Sequence, residues 1–408
     1  MTSSLTLVTY EYPFGKSETF LETEINYLAE AYDEVWIIPS RAAWSKSWMK
    51  SQSDVNRNIP DNCQVFFPSV SNLQNRIRLV QYFFKALVRI DFITWVRILR
   101  ISYYLQSLRE ALKSALFVSR TKEFFQNQSY DNLVYSYWKM EATVGLGILK
   151  HENVISKYVS RAHGGDLYYE GLKYNRKPFE KYLIQSCDYI IPISRHGFDY
   201  LLKLGYSVSK IRLSRLGIER PSSLSRPSND SIIRFVSCSN LIRVKRVDLL
   251  AEALSLLDFN FIWTHFGEGP ERELVGKHIS RFPITGKADL RGRVPNKIIN
   301  EHYMNNPVDL FINVSTSEGL PVSIMEALIS GIPCIATDVG GTSDIVNNKC
   351  GILVDRNITP EQLAKTITSQ VLDNKSLIEK RTIAAEIANT HVDANVNYTN
   401  FTKLLKRF

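Results

Sequence analysis

The sequence predicts an α/β protein of two Rossmann-like, doubly wound domains with an interdomain cleft. Its 408 residues are enough for two domains, each with a sizeable core. From Ile232 onward, short apolar runs alternate with helical patterns, and alternating βαβ units imply a parallel sheet. A proline- and serine-rich stretch, PSSLSRPSND at 221–230, predicts a linker between the halves. We therefore expect an N-terminal domain at 1–220, a C-terminal domain at 221–392 and a last helix at 393–408.

The N-terminal half begins with short strands and a glycine-containing loop. Strands are predicted at Leu5–Thr9, Glu34–Pro39 and Gln64–Phe67, and a helix at 18–28 follows the loop that contains Gly15. In an open α/β sheet, the loop between the first strand and the first helix commonly faces a ligand. Gly15 is therefore a candidate binding residue, although a plain turn explains it equally well.

A long helical region, 73–126, carries much of the positive charge. The net charge is +9, and residues 73–122 hold ten basic residues against two acidic ones. Aromatic residues are interleaved with the arginines: Phe83, Phe84, Phe92, Trp95, Tyr103 and Tyr104. This pattern predicts an amphipathic surface that lies on an anionic membrane face, and two ordinary helices with solvated arginines are the alternative. No recognised nucleic-acid-binding module accompanies the charge, so a nucleic-acid partner is disfavoured.

A histidine and an aspartate follow the strand predicted at Tyr158–Ala162, in the sequence His163-Gly-Gly-Asp166. Loops at the ends of parallel strands line the ligand crevice of such a sheet, so His163 is a candidate active-site residue. A histidine that only packs in the core is the alternative. Further along, Ser194 is a good N-cap for a helix at 195–204.

The strongest chemical signal lies in residues 317–345, SEGLPVSIMEALISGIPCIATDVGGTSDI. Two buried strands each lead into a glycine loop and a helix start. Gly319 and Gly340-Gly341 let the backbone approach a ligand closely, and the helix N-termini favour an anion such as a diphosphate. Glu318 in the loop and Glu326 inside the helix offer carboxylates to different parts of one ligand, and carboxylates bind sugar hydroxyls well.

A basic residue elsewhere in the second half fits the same ligand. Lys245 lies between a strand at 232–238 and a helix at 248–256, where it could reach a phosphate in the crevice between the domains. A solvent-exposed lysine within the Arg243–Arg246 cluster is the alternative.

Taken together, these features resemble a known family. Two glutamates eight positions apart around a Gly–Pro loop, followed by Gly-Ile-Pro and Gly-Gly, resemble the donor-binding signature of the retaining glycosyltransferases of family 4, in the branch that builds bacterial surface polysaccharides. Supporting stretches are SETFLETEI, SRAHGGDLYYE, SCSNLIRVKRVDLL and FGEGPERELV. The resemblance implies the GT-B fold, a last helix that returns to the N-terminal domain, and sugar transfer with retention that needs no bound metal and no other cofactor.

The resemblance also implies how a nucleotide diphosphate sugar would bind. Glu326 would hold the ribose and Glu318 the hydroxyls of the donor sugar. The diphosphate would be bound by the backbone amides of Gly319, Leu320 and Val322.

For the reaction, the resemblance implies that Lys245 neutralises the leaving phosphate, with Arg243 close by. His163 would contact the donor sugar at the reacting centre, near the Gly15 loop. The acceptor hydroxyl would attack from the face of the leaving group, so no enzymic nucleophile is needed, and catalysis would rest on positioning and on stabilising the charge of the diphosphate.

The sequence departs from the family pattern at two positions. Five residues before Lys245, where an arginine is common, this chain has Asn240, and Arg243 is a possible substitute. Asp344 stands where a glutamate is common after Gly-Gly.

The remaining composition bears on location and on alternatives. The five cysteines are scattered and lack CxxC spacing, which favours a reducing cytoplasm over a disulfide framework or a zinc site. We expect a cytoplasmic, peripheral enzyme at the inner face of the plasma membrane, with a polyprenyl-diphosphate-linked saccharide as acceptor. A GT-B-like sugar-nucleotide epimerase and a non-catalytic, nucleotide-binding recruitment protein are the alternatives.

Overall fold

The computed structural model describes residues 3–15, 18–45, 57–68, 73–91, 101–170 and 177–408. The chain divides into two compact units. The first contains residues 1–214 together with 398–408, and the second contains residues 215–397. Each unit is an α/β domain with one parallel sheet, as the sequence predicts.

The sheet of the first unit has six parallel strands in the order β3-β2-β1-β4-β5-β6. The strands are β1 Ser4–Thr9, β2 Glu34–Pro39, β3 Cys63–Val65, β4 Leu133–Ser136, β5 Tyr158–Ala162 and β6 Tyr189–Pro192. This is the strand order of a Rossmann fold, in which the order reverses between β1 and β4. Loops that leave these two strands therefore flank the crevice where such sheets bind ligands.

Helices cover both faces of this sheet: α1 Leu21–Ala31, α2 Leu73–Leu87, α3 Ile101–Gln126, α4 Glu141–His151, α5 Gly164–Leu167, α6 Glu180–Ser186 and α7 Arg195–Lys203. Along β1, Leu5 and Leu7 join one buried cluster and Val8 joins the other, because successive side chains point to opposite faces. Ser194 caps α7 as predicted, and its hydroxyl accepts a hydrogen bond from the Gly197 amide at 3.0 Å.

The second unit repeats this architecture. Its sheet has the order β12-β11-β10-β7-β8-β9, again parallel, so the order reverses between β7 and β10. The strands are β7 Ile233–Cys238, β8 Phe261–Phe266, β9 Gly286–Gly292, β10 Leu310–Asn313, β11 Cys334–Thr337 and β12 Gly351–Val354. The helices are α8 Val247–Leu254, α9 Arg272–Ile279, α10 Asn296–Asn305, α11 Val322–Ile329, α12 Pro360–Leu372 and α13 Asn374–His391.

The last helix, α14 (Ala394–Leu405), passes from the second unit into the first. Phe401 and Leu405 are buried in the cluster that also contains Leu5 and Leu7, and the Phe408 ring stacks on Tyr189 with the centroids 4.0 Å apart. These contacts make the end of the described chain part of the N-terminal core.

A buried ion pair lies beneath this helix. Arg161 on β5 donates to the carboxylate of Glu24 on α1, and both side chains are fully buried. The Tyr135 hydroxyl donates to the other carboxylate oxygen at 2.9 Å, and the Phe401 ring lies 4.2 Å from the Arg161 guanidinium. Each charge therefore has a partner, which is the condition for keeping charges in a dry core.

The proline- and serine-rich stretch at 221–230 lies in the second unit, a few residues after the boundary between residues 214 and 215. The Ser225 amide donates to the Ser330 carbonyl at 2.9 Å, and the Ser228 amide donates to Asp309 at 2.8 Å. The composition at 221–230 suits a loop, but these hydrogen bonds hold it against the second unit.

Many charges of the basic region are compensated by acidic residues that are distant in the sequence. Lys122, Lys85 and the Tyr82 hydroxyl all donate to Glu152. Burial acts to raise the pKa of Glu152, but the hydrogen bonds from Lys122 and Lys85 outweigh it and lower the pKa to about 2. The excess of positive charge counted within 73–122 therefore overstates the free charge of this surface.

The aromatic residues of this region divide between core and surface. Tyr103 is buried and Phe83 is half-buried against the core, whereas Phe84 is 62% exposed. Phe92 and Trp95 lie outside the described residues. No helix among the described segments combines the length and hydropathy needed to cross a bilayer.

Candidate active site

The loops at the reversal point of the second sheet bring two predicted site residues together. Lys245 ends a 3-10 turn after β7, and Glu318 lies in the loop after β10. The Lys245 ammonium donates to Glu318 Oε1 at 2.6 Å, and the Asn313 amide donates to the same oxygen at 3.3 Å. The Lys245 side chain is 22% exposed, so the charged pair borders solvent at the place where parallel sheets bind ligands.

The Glu318 loop is clamped by the glycines that follow β11. Gly340 has φ +55°, and a Cβ atom there would lie 1.8 Å from the Glu318 carbonyl oxygen. The Gly341 amide donates to the Gly319 carbonyl at 2.9 Å. The close approach at Gly340 needs glycine, and the two contacts together fix the backbone that carries Glu318.

The loop then enters α11 through Pro321, so Val322 is the first residue of the helix and its N–H has no partner within the helix. Gly319 is half-buried, and Leu320 is buried. This run of backbone at a helix N-terminus is suited to an anion.

Glu326 lies deeper, on α11, with 5% of its surface exposed. Its hydrogen-bond partner is the Asn296 side-chain amide, 2.9 Å from Oε1. Burial raises the pKa of Glu326 to about 7, although the hydrogen bond from Asn296 acts in the opposite direction. The pKa of the Cys238 thiol at the end of β7 is sensitive to both Glu326 and Lys245. Burial and then the Glu326 charge raise this pKa, whereas the Lys245 charge lowers it.

The two departures from the family pattern have partners in the second unit. The Asn240 side-chain oxygen accepts from the Arg293 guanidinium at 3.2 Å. Asp344 pairs with Arg215 at 3.3 Å. Arg243, the predicted substitute for the missing arginine, is exposed at the start of the 3-10 turn that ends at Lys245.

In the first unit, His163 follows β5 and is 5% exposed. Its ring centroid lies 4.4 Å from that of Trp138 and 4.7 Å from that of Tyr137. Neither ring nitrogen has a hydrogen-bond partner among the described residues, although Nδ1 lies 3.8 Å from Asp166. Asp166 also accepts the Lys139 amide at 2.7 Å, so it ties the loop after β4 to the histidine loop.

Gly15 lies in a loop that is organised by a buried carboxylate. Glu18 accepts hydrogen bonds from the amides of Tyr10, Glu11 and Tyr12 at 2.7–2.9 Å and from Trp138 Nε1 at 2.6 Å. Gly15 has φ +73°, and a Cβ atom there would meet the Glu11 carboxylate at 2.2 Å. The Gly15 loop and His163 are therefore joined through Trp138.

A cavity of about 370 Å³ opens beside this loop, at the reversal point of the first sheet. It is lined by Tyr10, Glu11, Glu18, Lys113, Trp138, Met140 and Glu141. Lys113 pairs with Glu141 at 2.6 Å, and Glu11 pairs with Arg41. The wall is aromatic and carries carboxylates, a combination that suits saccharide rings and hydroxyls.

The structure thus pairs Lys245 with Glu318, whereas Glu326 is hydrogen-bonded to Asn296. Sequence reasoning did not find three contributors: Asn296, which holds Glu326; Glu18, which shapes the Gly15 loop; and Arg293 beside Asn240. Glu18 stood in the quoted stretch SETFLETEI, so a signal was present. Asn296 and Arg293 lie in a segment that carried no such signal.

Among the described residues, no group of three or more metal-ligating side chains is placed to hold a metal ion.

Residues 222–391 match the family model described as glycosyl transferases group 1. The chain is 26% identical over 261 residues to the putative teichuronic acid biosynthesis glycosyltransferase TuaC of Bacillus subtilis, covering 60% of this chain and 63% of TuaC. It is 25% identical over 224 residues to the putative colanic acid biosynthesis glycosyltransferase WcaL of Escherichia coli K12, covering 52% of this chain and 53% of WcaL. The chain therefore spans between half and two thirds of the length of these relatives.

Solved structures share the fold over the whole chain. Anabaena HepE, in complex with UDP and glucose, superposes with a TM-score of 0.69 at 16% identity and covers 100% of both chains. Sucrose-phosphate synthase from Thermosynechococcus elongatus superposes with a TM-score of 0.71 at 14% identity, covering 99% of this chain and 98% of the other.

Fold and site define two Rossmann-like domains of the GT-B type, and the predicted fold class is confirmed. Residues 222–391, in the second of them, match the glycosyl transferases group 1 model, and similar proteins include glycosyltransferases named for polysaccharide biosynthesis.

Proposed function

We propose that this protein is a retaining glycosyltransferase that moves a hexose from a nucleotide diphosphate donor to a saccharide acceptor in bacterial surface-polysaccharide synthesis. The observation that carries this proposal is the Lys245–Glu318 pair beside the buried Glu326, at the reversal point of a sheet within the group 1 domain. Relatives named for teichuronic and colanic acid biosynthesis support the polysaccharide class.

The donor would lie across the loops after β7 and β10. The ribose would replace the Asn296 amide as the partner of Glu326, and the Glu318 carboxylate would bind hydroxyls of the sugar. The diphosphate would lie against the amides of Gly319, Leu320 and Val322, where the helix N-terminus favours negative charge.

Lys245 would change partner during the reaction. In the structure its charge is held by Glu318 at 2.6 Å. A leaving diphosphate develops more negative charge than a carboxylate carries, so the ammonium would stabilise it as the glycosidic bond to the phosphate breaks. The acceptor hydroxyl would attack from the same face and pass its proton to the departing phosphate, so neither a nucleophile nor a metal ion is required in this proposal.

His163 and the Gly15 loop would serve the sugar and the acceptor. Nδ1 of the His163 ring faces Asp166 at 3.8 Å, and Nε2, which has no hydrogen-bond partner among the described residues, would bind the donor sugar. The cavity lined by Tyr10, Trp138 and Glu141 has the composition of a saccharide site, and we assign the acceptor to it.

We also propose that the acceptor is linked to a polyprenyl diphosphate and that the protein lies peripherally on the inner face of the plasma membrane. The outer side of α2 supports this, because Ile77, Val80 and Phe84 are 56–62% exposed at helical spacing, and Val88, one residue after the helix, is 79% exposed. Residues 73–90 also contain four basic residues, of which Lys85 pairs with Glu152 and Arg78 lies 3.9 Å from Glu123, so the proposed membrane contact rests mainly on the apolar side chains.

Sedimentation with vesicles tests the membrane contact. Vesicles with about 30% anionic lipid should carry the wild-type protein down, and Phe84→Ser with Val88→Ser should reduce the bound fraction several-fold because apolar burial is lost. Leu256→Ser with Leu372→Ser is the matched control, since these residues are 52% and 77% exposed on the other unit. Equal binding by both double variants would refute the contact.

Thermal stability with UDP, GDP and ADP tests the donor site. One nucleotide should raise the melting temperature of the wild-type protein, and Glu326→Ala should abolish most of that rise by linkage. Glu318→Ala and His163→Ala should keep nucleotide binding and chiefly lose transfer. Isomerised donor without an acceptor requirement would identify an epimerase instead, and binding without turnover for any acceptor would identify a recruitment protein.

A further inference from the structure

The segment between β9 and α10 links the two sides of the proposed donor site. Arg293, just after β9, donates to the Asn240 side chain in the loop that carries Lys245. Three residues later, Asn296 donates to Glu326 on α11. One short segment therefore touches both the lysine loop and the carboxylate that would hold the ribose.

The charge of Arg293 is not compensated in the way that neighbouring charges are. Lys245 is held by Glu318, Arg272 by Glu268 and Arg291 by Asp289. Within the described residues, the side-chain partner of Arg293 is the neutral amide of Asn240, and Arg293 is exposed. A guanidinium has five N–H donors, so the hydrogen bond to Asn240 leaves four that could bind phosphate oxygens.

We propose that Arg293 binds the diphosphate of the donor, as a second positive charge beside Lys245. This inference rests on the proposed function. A diphosphate carries more than one negative charge, and Lys245 alone leaves part of it uncompensated. Asn240 would act as a positioning residue, because its side-chain oxygen holds the guanidinium at the loop, and a guanidinium can bind phosphate oxygens in a bidentate manner.

Two variants separate a phosphate contact from a structural role. Arg293→Gln should raise the Kd of the bound nucleoside diphosphate by about 10- to 100-fold, the scale of one charge-assisted contact. The Kd of the corresponding nucleoside, which has no phosphate, should stay unchanged. Arg291→Gln, two residues earlier and exposed, is the matched control and should leave both values unchanged.

A rescue experiment tests the position of the charge. Adding Asn240→Arg to the Arg293→Gln variant returns a guanidinium to the same place from the opposite loop, so it should recover most of the affinity for the diphosphate. A variant that lost affinity through misfolding would not be rescued in this way.

The measurements are titrations of the full chain with UDP and uridine, GDP and guanosine, and ADP and adenosine. Unchanged diphosphate affinity in Arg293→Gln would overturn this inference and leave the donor site standing. Equal losses for diphosphate and nucleoside would also overturn it, because they indicate a structural role. If the wild-type protein bound none of the six compounds, the proposed donor site itself would be wrong and the inference would fall with it.

Discussion

Replacing Glu326 by glutamine should make the protein more stable at alkaline pH while it weakens nucleotide binding. Burial raises the pKa of this carboxyl group from 4.5 to about 7. Between these two values the folded protein keeps a proton that the unfolded chain has released, so the free energy of unfolding falls as the pH rises. Above pH 7 the full cost is present, because a charge is held in a buried site.

The shift corresponds to about 3 kcal/mol, taken as 1.36 kcal/mol for each pKa unit. Glutamine has nearly the same volume, and its side-chain oxygen can still accept from Asn296. Glu326→Gln should therefore match the wild-type protein near pH 4.5 and exceed its stability by up to about 3 kcal/mol at pH 8. Groups that both proteins share cancel in this difference.

Urea unfolding of both proteins at pH 5 and pH 8 measures the effect. Asn296→Ala provides a second comparison, because it removes the hydrogen bond that favours the charged carboxylate, so its stability should fall more steeply with pH than that of the wild-type protein. A stability difference between Glu326→Gln and wild type that is the same at both pH values would refute the reasoning. It would mean that Glu326 titrates alike in the folded and unfolded chain.

Three further changes have defined outcomes. Lys245→Ala should lower kcat by an amount equivalent to about 2–4 kcal/mol, measured in a transfer assay, and an unchanged kcat would remove Lys245 from the charge-stabilising role. Gly340→Ala should destabilise the protein by more than about 2 kcal/mol and weaken nucleotide binding, because its Cβ atom would collide with the Glu318 carbonyl oxygen; normal melting and binding would contradict the clamp. Arg161→Met should cost about 3–5 kcal/mol in urea unfolding because it strands the Glu24 charge, and adding Glu24→Met should recover much of that loss.

Much of the fold could be predicted from local sequence. The strands at Glu34–Pro39 and Tyr158–Ala162 have the predicted bounds, because short buried parallel strands read as continuous apolar runs between polar turns. The Ser194 N-cap could also be predicted, because a cap depends on residues only three positions apart, here Ser194 and Gly197.

The partners of the site residues could not be read in the same way. Asn296 reaches Glu326 across thirty positions, and Arg293 reaches Asn240 across fifty-three, so only the folded sheet brings them together. The loop glycines and carboxylates carried a chemical signal of their own. Arg293 and Asn296 lie in a polar stretch at the start of α10, where the sequence does not distinguish them from solvent-exposed neighbours.

The count of charges in the basic region misled for a related reason. A sum over 73–122 counts Lys85, Lys113 and Lys122 but omits the glutamates that pair with them. Glu141 at the start of α4 pairs with Lys113, and Glu152 just after α4 pairs with Lys85 and Lys122. At 221–230, likewise, composition indicates a preference for turns but does not show that Ser225 and Ser228 hydrogen-bond to Ser330 and Asp309.

The path of α14 constrains the order in which the two units can fold during synthesis. Phe401 and Leu405 are core residues of the N-terminal unit, and the Phe401 ring covers the Arg161 guanidinium. A ribosome adds about 5–20 residues per second, so the C-terminal unit, 215–397, is synthesised in full before these residues appear. The unit that is translated first must therefore wait for the last helix to complete its core, and a fragment cut at residue 214 would expose that core to aggregation.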